Sequence, residues 1–367
     1  MRAAVTCGIL QECLAQTIAL PPPTGKYHVG VSKHTIENYN PNDPLAPNNI
    51  STEFLATIYY PTLQKPVGPP QPYLEPELAA RLEPLLNYNA NFLSTFTSTI
   101  QQDAPFLYDV KSTPTLLFGP GGSAPSVLNT IVISEMVSHG YTVVALDHPF
   151  EQPFIRYPNR TGVMGVDIDF AAPGLIEALY NTRLVDNAAF MEYFPKLTHT
   201  LGAPFNTTHF GLFGFSLGGA AAIGSAHNDH VVSVLNLDGA VWGVPALNNS
   251  QADGAKPVFL LGNENHTTEN YMYDPSWQTF LPWQTGYSRL FTIKGSMHLD
   301  FSDLTFWKIF GPPNPLAGRI DGNLQLNMVI AYVKAFFDFT LLGQDSPLLD
   351  GPPTTEWPEV IFHDQTA

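Results

Sequence analysis

Apolar residues along this chain fall into two rhythms, and the change from one to the other organises the sequence. Residues 29–37 and 54–60 are rich in β-branched and aromatic side chains and are divided by a Pro/Asn-rich stretch, which predicts two strands joined by a loop. Residues 73–86 carry their apolar positions at helical spacing, punctuated by Pro76 and Pro84. From residue 114 the pattern becomes strand, turn, helix in repeated units. Short apolar runs at 115–118, 141–146, 210–213, 231–237, 257–261 and 290–293 read as buried strands, and 127–138, 217–227 and 324–342 read as helices. Such an alternation predicts a mostly parallel central sheet with helices on both faces.

Residues 20–350 form one large α/β domain on this reading. Within it, 150–205 is Pro-rich and then helical over 175–194, a cap-like insertion beside the site. Residues 1–19 resemble a signal peptide: Arg2 gives a positive start and small residues stand at Ala15 and Ala19, although Gln11 and Glu12 interrupt the apolar segment. Both cysteines, Cys7 and Cys13, lie in that leader, so its removal would leave no disulfide. Sequons at Asn49, Asn159, Asn206, Asn248 and Asn265 agree with secretion. Residues 351–367 read as a polar C-terminal tail.

Composition narrows the partners. A net charge of −16 repels nucleic acid and anionic membranes at long range. Transient contact with a lipid aggregate through an apolar rim stays open. No run approaches 18 uninterrupted apolar residues, so no transmembrane segment is expected.

Gly214-Phe215-Ser216-Leu217-Gly218 matches the G-x-S-x-G nucleophile elbow of the α/β-hydrolase fold. The serine there sits on a tight strand-to-helix turn, with small neighbours that let the backbone close and expose Oγ. A strand-like run precedes it and Gly219-Ala220-Ala221-Ala222 follows, which suits a helix packed close to a sheet. The oxyanion hole needs two backbone N–H groups; Leu217, just after the nucleophile, supplies one. The loop Gly119-Pro120-Gly121-Gly122-Ser123 after an earlier strand fits the second, with Gly122 as donor. That loop lacks the Lys-Ser/Thr ending of a nucleotide-phosphate cradle.

Two acids compete, since both respect the order serine, acid, histidine: Asp238 after the 231–237 strand, and Glu264 after the next. Asp147 precedes the serine and reads as a structural carboxylate. Three histidines follow both acids. His266 falls in a sequon and is expected to be exposed, His363 belongs to the tail, and His298 stands just past a strand, where it suits the general base. His227 and His230 lie close together but lack a third ligand, so no metal and no cofactor are expected. Phe118, Phe215, Trp242 and Phe301, with Trp283 and Trp307, are candidates for an apolar substrate pocket.

These segments together resemble the plasma/type II platelet-activating-factor acetylhydrolase family. The resemblance rests on Gly214 to Gly219, Leu237-Asp238-Gly239, Lys294-Gly295-Ser296-Met297-His298 with Phe301-Ser302-Asp303, Tyr59-Tyr60-Pro61 and Ile320-Asp321. It runs from about residue 54 to 343 and is poor over 150–205. It implies a calcium-independent serine esterase that removes short or oxidised acyl chains from phospholipids, with Asp238 as the acid and Gly122 as an oxyanion donor. Gly122 is smaller than the family's residue there and Trp242 stands slightly later than its tryptophan. The expected function is therefore hydrolysis of short acyl esters of phospholipids. The alternatives are a secreted polyester, cutin or natural-product tailoring esterase, and a catalytically dead binding protein on the same fold.

Overall fold

In the computed structural model, the described residues are 17–266, 275–351 and 355–363. The expected leader therefore lies almost wholly outside them, as do both cysteines. Ten strands form the main sheet: β1 (His28–Asn40), β2 (Ser51–Thr62), β3 (Gln101–Gln102), β4 (Thr113–Gly119), β5 (Thr142–Asp147), β6 (Phe205–Phe215), β7 (Val231–Leu237), β8 (Val258–Asn263), β9 (Ser288–Ile293) and β10 (Val360–Phe362). Their spatial order is β10-β9-β8-β7-β6-β4-β5-β2-β1-β3. The run from β5 through β4 to β9 is parallel, whereas β2 joins β5, β1 joins β2 and β10 joins β9 antiparallel.

The period of two along each strand divides the core into two layers. Leu116 and Phe118 of β4 and Phe259 and Leu261 of β8 pack with α2 (Thr130–Ser138) and α7 (Gly322–Leu342). The intervening Leu117, Val258 and Leu260 pack on the other face, against α3 (Leu175–Leu201) and α4 (Leu217–Gly224). Both faces are apolar because both are covered, which is why the central strands read as unbroken apolar runs. An outlying helix, α1 (Pro76–Leu85), sits in a third cluster around Trp307. Among the described residues α7 is the one helix long and apolar enough to cross a bilayer. Here its Met328, Val333, Phe336 and Phe337 are fully buried against the sheet.

Two segments extend the sequence reading. Residues 150–205 hold a small antiparallel hairpin (Phe154–Arg156 with Gly162–Met164) and then α3, whose Phe190 and Phe194 are core residues. The segment thus serves the sheet as well as the cleft. The expected polar tail contributes β10, with Val360 fully buried and paired to Ile293. A three-residue strand is too short to show a period, so polarity dominated its reading.

Candidate active site

Ser216 stands between β6 and α4 with φ 54° and ψ −121°. An L-residue adopts positive φ only where the surroundings enforce it. Close packing does so here: a Cβ on Gly218 would lie 2.0 Å from the Gly119 carbonyl oxygen, and one on Gly214 2.3 Å from the Gly218 carbonyl carbon. Glycine at both positions lets β4 and the start of α4 touch, and Oγ is pushed out at the carboxyl end of the sheet.

Oγ meets the imidazole of His298, whose Nε2 is 2.9 Å away. Nδ1 of the same ring donates to Asp238 Oδ2 at 2.6 Å. Asp238 directly follows β7 and is fully buried, while the His298 side chain is 47% exposed, leaving the imidazole open to a substrate. Three further donors converge on the carboxylate: the Asn263 backbone N–H at 2.8 Å, Asn263 Nδ2 at 2.7 Å and His266 Nδ1 at 2.9 Å. Burial alone pushes this carboxyl up, but the hydrogen bonds from His266 and His298 outweigh it and hold the group well below the usual carboxylate range. Asp238 is therefore ionised, and its partners are fixed as donors.

The structure thus brings Ser216, Asp238 and His298 together and leaves Glu264 outside. Glu264 Oε2 instead accepts the Gly295 N–H at 2.9 Å, anchoring the start of the His298 loop. Asp300 anchors the rest, accepting from the Met297 N–H at 2.8 Å, the Gly318 N–H at 2.6 Å and Lys308 Nζ at 2.6 Å.

His266 corrects the sequence reading, because it is buried rather than exposed. Its ring stacks on Trp277 with centroids 3.6 Å apart and planes at 19°. The sequon at Asn265 made His266 look exposed, and the run Gly262-Asn263-Glu264-Asn265-His266 around it is polar. Its polarity serves the Asp238 carboxylate instead, and an Asn-x-x-His closing a strand beside the acid's strand was the available signal. His363, also placed in the tail, accompanies β10 and lies 2.9 Å from Thr292 Oγ1 through Nε2.

The oxyanion candidates line the same cleft as Ser216. Leu217 opens α4, where N–H groups have no partner within the helix. Gly122 lines the cleft, and a Cβ there would press on the Phe170 ring at 3.0 Å. The cleft holds about 580 Å³. Of the six expected pocket aromatics only Trp242 lines it. Phe118 and Phe301 belong to the core beneath the sheet, and Phe215 lies under the His298 ring at 4.8 Å. The pleat explains this correction, since Phe118 and Phe215 end strands with their side chains on the α2/α7 face. Trp307 is wholly buried in the α1 cluster, and Trp283 donates to Asn248 Oδ1 at 2.9 Å. The walls that sequence reasoning missed are Phe170, Ile176, Ala240 and Met297, which come from loops and one helix end without a shared period.

Asp147 has the structural role expected of it, accepting from the Ser126 N–H at 2.7 Å and Oγ at 2.8 Å. Among the described residues no group of three or more His, Cys, Asp or Glu side chains is placed to hold a metal ion. His227 and His230 are both exposed. Of the sequons, Asn49, Asn159 and Asn248 are exposed, and Asn265 lines the cleft.

Comparison with known proteins fits this geometry. A solved ferulic acid esterase from Streptomyces cinnamoneus superposes with a TM-score of 0.78, covering 95% of this chain and 100% of its own, at 24% identity. The chain has the α/β-hydrolase fold. Residues 182–345, which contain all three triad side chains, match the family described as platelet-activating factor acetylhydrolase, isoform II. A probable 1-alkyl-2-acetylglycerophosphocholine esterase of Arthroderma benhamiae is 28% identical over 270 residues, or 68% of this chain and 66% of that protein. The chain thus spans just under two thirds of that relative's length. By these likenesses the chain is similar to esterases, and the similarity supports ester hydrolysis.

Proposed function

We propose that this chain is a carboxylic-ester hydrolase that works through an acyl-enzyme on Ser216, with His298 as base and Asp238 as the carboxylate that orients it. The observation that carries the reading is the unbroken line from Ser216 Oγ through His298 to Asp238, at 2.9 and 2.6 Å. As Oγ adds to the ester carbonyl, His298 Nε2 takes its proton and then delivers it to the leaving alcohol. Water, deprotonated by the same nitrogen, releases the acid. The N–H groups of Leu217 and Gly122 receive the oxyanion, and the ionised Asp238 stabilises the imidazolium.

For the substrate we favour a neutral ester with a flat or extended apolar acyl group, of the hydroxycinnamate or polymer-derived kind. A cleft of about 580 Å³ leaves most of its space empty around an acetyl group, whereas Phe170, Ile176 and Trp242 offer walls for a larger one. The second reading, a short-acyl phospholipid esterase, is favoured by the match over residues 182–345 and by the Arthroderma relative. Measuring kcat/KM for methyl ferulate, 4-nitrophenyl esters of graded length and a 1-alkyl-2-acetylglycerophosphocholine separates the two. The first reading expects the aromatic or medium-chain esters to lead by about tenfold or more. A lead for the phospholipid selects the second, and no turnover of any ester removes both.

A further inference from the structure

Behind the oxyanion loop lies a charged pair that takes no part in the triad. Arg183 of α3 and Glu151, in the loop after β5, are 1% and 2% exposed, with Arg183 Nη2 2.5 Å from Glu151 Oε1. The guanidinium also donates to the Pro120 carbonyl through Nη1 and to the Gly121 carbonyl through Nη2, the latter at 3.0 Å. Glu151 Oε1 in turn accepts the Ser123 N–H at 3.3 Å. The pair therefore grips residues 120, 121 and 123 of a single loop.

Burying two full charges is costly even when they pair, and apolar residues of similar volume often serve stability as well. This pair is also incompletely satisfied, since Arg183 Nε and Glu151 Oε2 have no hydrogen-bond partner. Its retention is better explained by what it orients. In a planar trans peptide the N–H of one residue points opposite to the carbonyl of the residue before it. Holding the Pro120 and Gly121 carbonyls on Arg183 turns the N–H groups of Gly121 and Gly122 the other way. The nucleophile lies close by: a Cβ on Gly121 would stand 3.5 Å from the Ser216 Cβ, and one on Gly122 3.9 Å from Leu217 Cδ2.

We infer that Arg183, braced by Glu151, is a positioning residue for ester hydrolysis: it aims the loop amides at the oxyanion that forms beside Ser216. The inference rests on the proposed acyl-enzyme reading of Ser216. Donors aligned in advance stabilise the transition state more than the bound ester. Loss of the grip should therefore lower kcat and leave KM nearly unchanged.

The test compares wild type with Arg183→Lys, which keeps the charge but lacks the planar fork that reaches two carbonyls. Active sites are counted by end-point labelling with a fluorophosphonate, so a smaller folded fraction does not register as slower chemistry. Inhibition by an aryl trifluoromethyl ketone is measured alongside. Ser216 Oγ adds to its carbonyl carbon, His298 takes the hydroxyl proton, and the carbonyl oxygen becomes an oxyanion. Expected is a fall in kcat per site of about 10- to 100-fold, less than the loss of a whole donor. KM should stay within about threefold, and the inhibition constant should rise by the same factor as kcat/KM falls. Unchanged kcat and inhibition in the folded variant, or a change in KM alone, would overturn the inference. If Arg183→Lys does not fold, Glu151→Gln gives the same readouts with a smaller shift in the same direction. Wild type that is neither labelled nor active on esters would instead remove the acyl-enzyme reading.

Discussion

On one side of the cleft the reacting groups are hydrogen-bonded into place. Asp238 is held by four donors, His298 by that carboxylate, and the His298 loop by Glu264 and Asp300. On the other side Phe170, Ile176 and Trp242 present apolar surface, and Phe170 is 40% exposed. The first wall combines short polar contacts from the ends of β7, β8 and β9, where an ångström of error is expensive. The second comes from the segment before α3, the first turn of α3 and the loop after β7, and tolerates repacking. Chemistry and selectivity are thus placed on separate walls, and substitutions should separate them too.

The largest effect belongs to the polar wall. Asp238→Asn should lower kcat about 10⁴-fold, because the neutral amide no longer fixes the His298 tautomer or stabilises imidazolium. Glu264→Gln retains an acceptor for the Gly295 N–H and should cost less than about tenfold. Steady-state rates on one ester check both, and the reverse ranking would mean that the carboxylates have been given the wrong roles.

A middling effect is expected at His266. Replacing it with alanine removes one donor from Asp238 and the stack on Trp277, so kcat should fall about 10- to 100-fold through misplacement of the acid. A change confined to KM would move His266 to the substrate wall and blur the contrast.

Smaller still should be Trp242→Ala on the apolar wall. It should reduce kcat/KM about tenfold for a bulky acyl ester and hardly at all for acetyl. Equal losses on both esters would show that the walls are not independent.

The smallest effect concerns pH and stability rather than rate. Burial pushes the Asp303 carboxyl up to about 7, although it accepts from Tyr73 Oη at 2.7 Å and from the Ile131 N–H. Its unfolded value is about 3.9, so between about pH 4 and pH 7 the folded state binds this proton more tightly. Asp303 therefore opposes folding increasingly as pH rises through that window. Urea midpoints of wild type and Asp303→Asn at pH 5 and pH 8 should show the wild type losing ground to the variant at the higher pH. A difference that does not change with pH would contradict the shift.

The same contrast decides what could be read from sequence. The central strands were legible because both sheet faces are covered, and the nucleophile because its elbow constrains five consecutive residues. His298 followed from chain order. The choice between Asp238 and Glu264 leaned on the family resemblance, since both acids follow adjacent parallel strands and differ in three-dimensional direction. Phe118 and Phe215 were misplaced because a strand covered on both faces shows no alternation, so its apolar run does not reveal which side chains the pleat sends beneath the sheet. Phe170 gave no signal because a loop residue carries no period, and Ile176 gave none because it lies in the first turn of α3, where nothing in the spacing marks a residue that faces the cleft. Arg183 and Glu151 were equally silent: a buried ion pair across 32 positions looks like two ordinary surface charges until the chain is folded.

The most direct test of the central claim is to trap the covalent enzyme and find where the label sits. Wild type treated with a fluorophosphonate, or quenched during turnover of a slow ester, should gain one adduct by intact mass, mapped to the peptide bearing Ser216. Ser216→Ala should lose the adduct and about a million-fold in kcat. An adduct on another residue, or undiminished ester hydrolysis by a clean Ser216→Ala preparation, would contradict the account.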